Sequence, residues 1–117
     1  MVRVYHFSFD LNASEYLHKG GNMVIFIATI SFDKENDMNG YADYIELVKP
    51  IVEKYDGKYV IRSEKITALS KEWSPDRVII IEFKSRKQLE DCFSSVEYKK
   101  IASLRENSVT GRAVIVE

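Results

Sequence analysis

"VIFIATISF", residues 24 to 32, decides the fold. It is rich in β-branched and aromatic residues, which suit a pleated strand. Val24, Phe26, Ala28, Ile30 and Phe32 fall on one alternating set, and Ile25 and Ile27 fall on the other. A strand that is apolar on both faces needs cover on both. The same two-sidedness recurs in "RVIIIEF" at 77 to 83, where Val78 and Ile80 oppose Ile79 and Ile81. It returns in "GRAVIVE" at 111 to 117, where Ala113 and Ile115 oppose Val114 and Val116. "KYVIR" at 58 to 62 predicts a further strand, and "KITAL" at 65 to 69 a short partner for it.

Between the first two strands the period changes. Tyr41, Tyr44, Ile45, Val48, Ile51, Val52 and Tyr55 recur at steps of three and four, the stripe of an amphipathic helix laid on a core. The helix should begin near Asn39 or Gly40, with Asp37 as its cap, and Gly57 should close it in the left-handed conformation. Pro50 removes a backbone donor, so a kink or a division near Val48 is expected. Ser85 with Gln88, and Ser94 with Glu97, are capping-box patterns for two later helices. "SKEWSPDR" is a polar turn region, in which Trp73 should anchor the loop against the core or a subunit seam.

The element order predicts an α+β fold of the ferredoxin-like, split βαβ kind, with an antiparallel sheet and its helices on one side. The opposite face would then be apolar and bare, which soluble proteins rarely tolerate. A homodimer closed sheet to sheet, a dimeric α+β barrel burying on the order of 1,200 Å² or more, resolves the conflict.

Totals bound the function classes. The 117 residues make one domain's worth of chain. Residues 23–117 form the expected barrel domain, and residues 1–22 an extension of different texture. The alternation in "VRVYHFSF" suits an extra edge strand over Val2 to Phe9. Alternatively Met23 is the natural start, because Lys-Gly-Gly-Asn before it is what a purine-rich ribosome-binding stretch would spell if read in frame. A formal net charge of −1 provides no field to attract nucleic acid. "MVIFIATI" is too short to span a membrane, and the first residues lack the continuous apolar run of a signal peptide. One cysteine, Cys92, cannot form an internal disulfide, which fits a reducing compartment and places the protein in the cytoplasm.

From Met23 to Glu117, "DMNGYADYI", "IVEKYDGKYVIR", "WSPDRVIIIEFKS", "SSVEYKKIASLRENS" and "GRAVIVE" follow one another in an order and spacing that resemble domain of unknown function family 1330. The resemblance covers about four fifths of the chain. It implies a two-subunit α+β barrel with a cavity between each sheet and its helices or partner, and it implies no established catalytic residues. Asp37, Tyr41, Tyr44, Arg62, Trp73, Tyr98 and Arg105 fall where the family pattern also has polar or aromatic residues. Two departures stand out. Ser63 and Glu64 replace a usual glycine pair, and Cys92 and Phe93 stand where tryptophan is common.

Standard chemistries find little footing. Both histidines, His6 and His18, precede residue 23, so the barrel domain has no imidazole for a nucleophile triad and too few ligands for a metal. The glycines match no phosphate-loop fingerprint, and no cofactor is expected. Cys92 sits between Leu89 and Phe93, which suits a small packed residue better than a reactive thiol. Tyrosines at helical spacing, Tyr41, Tyr44 and Tyr55, suit core packing with a wet tip or the lining of a cavity.

Tyr98 and Arg105 are seven residues apart and therefore share one face of the last helix, with Ile101 and Ala102 between them, aimed at the sheet. An arginine there needs a carboxylate, backbone carbonyls or an anionic ligand. Glu82, Asp37 or a second subunit are the protein mates to consider. Arg62, taken to share a strand face with Val60, poses the same choice. Tyr44, Arg62, Tyr98 and Arg105 are thus the candidate ligand-binding residues of a homodimer holding a small anionic or aromatic molecule. The alternatives are a cofactor-independent oxygenase or isomerase, and an interaction dimer without a ligand.

Overall fold

A computed structural model describes residues 23–33 and 38–117. The proposed edge strand, the proposed start at Met23 and the Asp37 cap concern residues that lie wholly or partly outside that range. The described elements are β1 (Val24–Phe32), α1 (Asn39–Lys54), β2 (Lys58–Ser63), β3 (Arg77–Phe83), α2 (Arg86–Phe93), α3 (Val96–Glu106) and β4 (Val109–Val116). The strands form one sheet in the order β2-β3-β1-β4, every neighbouring pair antiparallel. This is the ferredoxin-like, split βαβ α+β fold. No helix among the described residues is long and apolar enough to cross a membrane.

The two alternating sets of β1 part as their pattern requires. Val24, Phe26, Ala28 and Ile30 lie in register with Phe83, Ile81, Ile79 and Arg77, and this face meets the helices. Phe83, Val52 and Cys92 are fully buried between sheet and helices, with Tyr41, Tyr44, Val48 and Leu89 around them. Ile25, Ile27, Val78, Ile80, Val114 and Val116 share the other face by register, and no described helix packs there.

Several local expectations need correction. Pro50 does not divide α1, which runs unbroken through it. Pro50 and Glu46, whose carbonyl loses its partner, are both exposed, so water can replace the missing bond. The left-handed residue after α1 is Asp56 (φ 64°), not Gly57. Short polar side chains tolerate that region. Gly57 is needed for space, because a Cβ there would lie 2.6 Å from Val52 Cγ1 and 2.8 Å from Phe83 Cε1. Ser85 Oγ accepts from the Gln88 N–H at 3.1 Å as the capping pattern requires, but the cap of α3 is Ser95, whose Oγ accepts from Tyr98 N–H at 3.1 Å. Ser94 instead closes α2, donating to the Glu90 carbonyl. Glu97 is released from capping and pairs with Lys54 of α1.

"KITAL" forms no strand. The strand at 58–63 takes β3 as its partner instead, and most of residues 64–74 are exposed. Trp73 is not part of the buried core and remains 46% exposed. The segment is tied down at its end, where Asp76 accepts from Phe32 N–H at 2.7 Å and donates its own N–H to the Ile30 carbonyl at 2.8 Å. That clamp fixes where Arg77 enters the sheet.

Candidate functional site

Between α1, α3 and the helix-facing side of the sheet lies a cavity of about 330 Å³. Its position follows from two close approaches. Gly40 lets the start of α1 come down on the end of α3, where a Cβ would meet the Leu104 carbonyl oxygen at 3.2 Å. Deeper along the helix, Val48 and Val52 pack on the sheet and leave the larger aromatic side chains to frame the space. Phe26, Tyr41, Tyr44, Tyr59, Phe93 and Tyr98 supply most of the wall, with Ile79 and Ile81 as its floor and Arg105 beside them.

The aromatic groups form a connected row. Tyr41 and Tyr44, one turn apart on α1, stack with ring centroids 6.0 Å apart and planes inclined by 17°. Tyr44 meets Tyr98 edge to face, and their hydroxyl oxygens share a buried hydrogen bond of 2.9 Å. Tyr98 meets Phe93 at 5.0 Å, and Phe93 meets Phe26 at 4.8 Å. Arg105 approaches the same row from α3, its guanidinium carbon 5.9 Å from the centre of the Tyr44 ring. Such a cation over a ring face is held by the ring's quadrupole.

Tyr44, Tyr98 and Arg105 are therefore brought together, and the helical spacing that joined Tyr98 to Arg105 describes their shared face. Arg62 is not with them. Two residues of β2 oppose one of β3 between Tyr59 and Ile61, a bulge at Val60. The slip puts Arg62 in phase with Tyr59 instead of Val60, and its guanidinium lies 4.9 Å from the Tyr59 ring centre. Tyr59 lines the cavity and Arg62 does not. Of the mates considered for Arg105, Glu82 is excluded by the sheet's alternation, since Ile81 and Phe83 take the helix side. Asp37 is outside the described residues. Among the described residues Arg105 has Glu106, exposed and 3.6 Å away, as a carboxylate neighbour, and its side chain also bonds to Tyr98.

Two buried groups escaped the sequence reading. Tyr41 is 3% exposed, and its hydroxyl has no hydrogen-bond partner among the described residues. It has no wet tip. Arg77 is also buried, held by Glu64 at 3.0 Å through Nη1 while its Nε lacks a partner among the described residues. Glu64 is one of the two residues that replace the family's glycine pair. The available signal for Arg77 was its phase, two residues before Ile79 on the helix-facing set.

Burial raises the pKa of Tyr44 far above the usual phenol value, and the neighbouring Tyr98 adds to the effect. Burial also lifts Tyr59 to about 12, against the pull of Arg62, and raises Tyr41 against the pull of Arg77. These hydroxyls stay protonated near neutrality and act as donors. No carboxylate belongs to the cavity wall among the described residues. Burial, and after it Glu97, pushes the Cys92 thiol up to about 11, so it is packed and unreactive. No cluster of three or more His, Cys, Asp or Glu side chains able to hold a metal occurs among the described residues.

The family model described as Domain of unknown function (DUF1330) matches residues 26–117. The chain belongs to this family. A protein of unknown function from Rhodopseudomonas palustris has the same fold as this DUF1330 chain, with a TM-score of 0.71 at 15% identity over 97% of this chain and 96% of that one. SnoaB, a cofactor-independent oxygenase from Streptomyces nogalater, superposes with a TM-score of 0.61 at 8% identity, over 83% of this chain and 93% of its own. A dimeric protein of unknown function and ferredoxin-like fold from Bacteroides fragilis gives 0.52 at 10% identity, over 81% and 95%. At such identities the likeness is one of fold alone. No curated protein matches the DUF1330 chain in sequence.

Proposed function

We propose that this DUF1330 chain is a homodimeric binding domain whose cavity takes a small molecule carrying an aromatic or anionic group. The observation that carries the reading is the Tyr41 hydroxyl, buried in the wall of an aromatic cavity with no hydrogen-bond partner among the described residues. Leaving a buried hydroxyl unpaired costs about 1–3 kcal/mol, and a ligand acceptor would recover it. The cavity's size of about 330 Å³ lies at the lower end of the range used for small ligands. Arg105, facing the row and paired across 3.6 Å with the exposed Glu106, adds a charge suited to an anion.

Proton-moving chemistry fits less well. An oxygenase or isomerase without a cofactor needs a base, and the described wall offers no carboxylate or imidazole, while burial keeps the Tyr41, Tyr44 and Tyr59 hydroxyls protonated. The homodimer is supported by the uncovered sheet face, where Val114 and Val116 are 57% and 40% exposed. The dimeric state of the Bacteroides fragilis neighbour agrees with it. A free Cys92 suits the reducing cytoplasm.

Thermal-shift measurement against a library of small metabolites tests the binding reading. Aromatic or anionic compounds should raise the Tm by about 5 °C or more at saturation. A flat response across the library would contradict it.

A further inference from the structure

The groups around the cavity are not distributed evenly. From Phe26 through Phe93 to Tyr98 the row is apolar or already satisfied, since the Tyr98 hydroxyl is bonded to that of Tyr44. Around Tyr44 stand the Tyr41 hydroxyl, without a partner among the described residues, and the Arg105 guanidinium, which lies over the Tyr44 ring and also bonds to Tyr98. Tyr41 feels the charges of Arg77, Arg105 and Arg62, opposed by Glu64 alone. Arg77 itself keeps a buried Nε without a partner among the described residues. A cavity built this way has an apolar end made of ring faces and a positive end with an unused donor.

Resting on the binding reading above, we infer that the ligand is a planar aromatic monocarboxylate, its ring lying among Phe26, Phe93 and Tyr59 and its carboxylate accepting from Tyr41 Oη and Arg105. Three considerations converge. A carboxylate is acceptor-only and matches a site offering donors and positive charge without a competing acid in its wall. The ring faces favour a flat aromatic partner over a branched aliphatic one. The cavity volume of about 330 Å³, at the lower end of the range for small-ligand sites, suits one substituted ring with its acid group.

Calorimetric titration of the intact chain with benzoate and with benzamide separates charge from shape, because the two differ little in size. Benzoate should bind about tenfold tighter or more than benzamide, the advantage of a charge-assisted over a neutral hydrogen bond. Arg105→Gln should remove most of that preference by weakening benzoate, with benzamide changed about twofold at most. Tyr41→Phe keeps the ring and its packing, and should weaken benzoate about fivefold or more. Equal binding of benzoate and benzamide by the unaltered chain would overturn the inference while leaving a binding cavity in place. Equal loss of both ligands in Arg105→Gln would overturn it as well. If neither compound binds at millimolar concentration, the inference falls. The binding reading falls with it only if the wider library is also silent.

Discussion

The two faces of one sheet solve the same problem differently. On the helix side, Val24, Ile81 and Phe83 are covered by α1 and α2, and the fit is tight enough that a single Cβ on Gly57 would collide with Val52 and Phe83. On the other side, Ile25, Ile27, Ile80 and Val114 are as apolar as the covered residues, yet no described helix packs there. Cover alone does not explain where the cavity sits. The helix face is dense along Val48, Val52 and Phe83, and it opens toward the tyrosines and Arg105, where flat rings cannot fill the space that branched chains would. The bare face is mostly apolar, with Thr29, Glu82 and Arg112 in phase on it, and suits a second copy of itself. The helix face carries donors and suits a ligand.

Substitutions can break this contrast one side at a time. The largest effect should come from Phe83→Ala in the dense part of the helix face, where a fully buried ring is removed. Unfolding in urea should show a loss of about 3–5 kcal/mol. On the bare face, Ile80→Glu should leave the subunit folded and raise the dimer dissociation constant about a hundredfold or more, a shift of about 3 kcal/mol measurable by sedimentation equilibrium. Were that variant instead to unfold the subunit, the two faces would not be independent. Alkaline titration sharpens the comparison further, because the raised phenols all lie on the helix face. Their folded pKa values exceed the unfolded value of 10.0, so the folded state holds protons that the unfolded state releases. Stability should therefore be flat up to about pH 9 and should fall from about pH 10 through 12, with the tyrosinate absorbance of Tyr41, Tyr44 and Tyr59 appearing only as the chain unfolds. Early ionisation of Tyr44 or Tyr59 in the folded protein would contradict the burial argument.

Much of this architecture was legible from periodicity. Strands β1, β3 and β4 and helix α1 announce themselves by two-residue and three-to-four-residue repeats, and the seven-residue step from Tyr98 to Arg105 places both on one face. What periodicity cannot carry is a change of phase. The bulge at Val60 adds one residue and moves Arg62 onto the helix-facing side, opposite Ile79, and nothing in "KYVIR" marks it. Cap positions at Ser94 and Ser95 depend on how tightly α2 and α3 are joined, which is a tertiary matter. Arg77 at the head of an apolar strand reads as a boundary residue until Glu64, thirteen positions away, is seen to pair with it. The orphaned hydroxyl of Tyr41 is likewise visible only once everything around it has been placed.

The smallest expected effect tests the central claim most directly. Melting curves of the unaltered chain and of Tyr41→Phe should be compared without ligand and with saturating benzoate. An unpaired buried hydroxyl costs stability until a ligand bonds to it, so the variant alone should be the more stable by about 1 kcal/mol, and saturating benzoate should cancel that advantage. A variant that melts lower without ligand, or a difference that benzoate leaves unchanged, would mean that the Tyr41 hydroxyl is not waiting for a ligand.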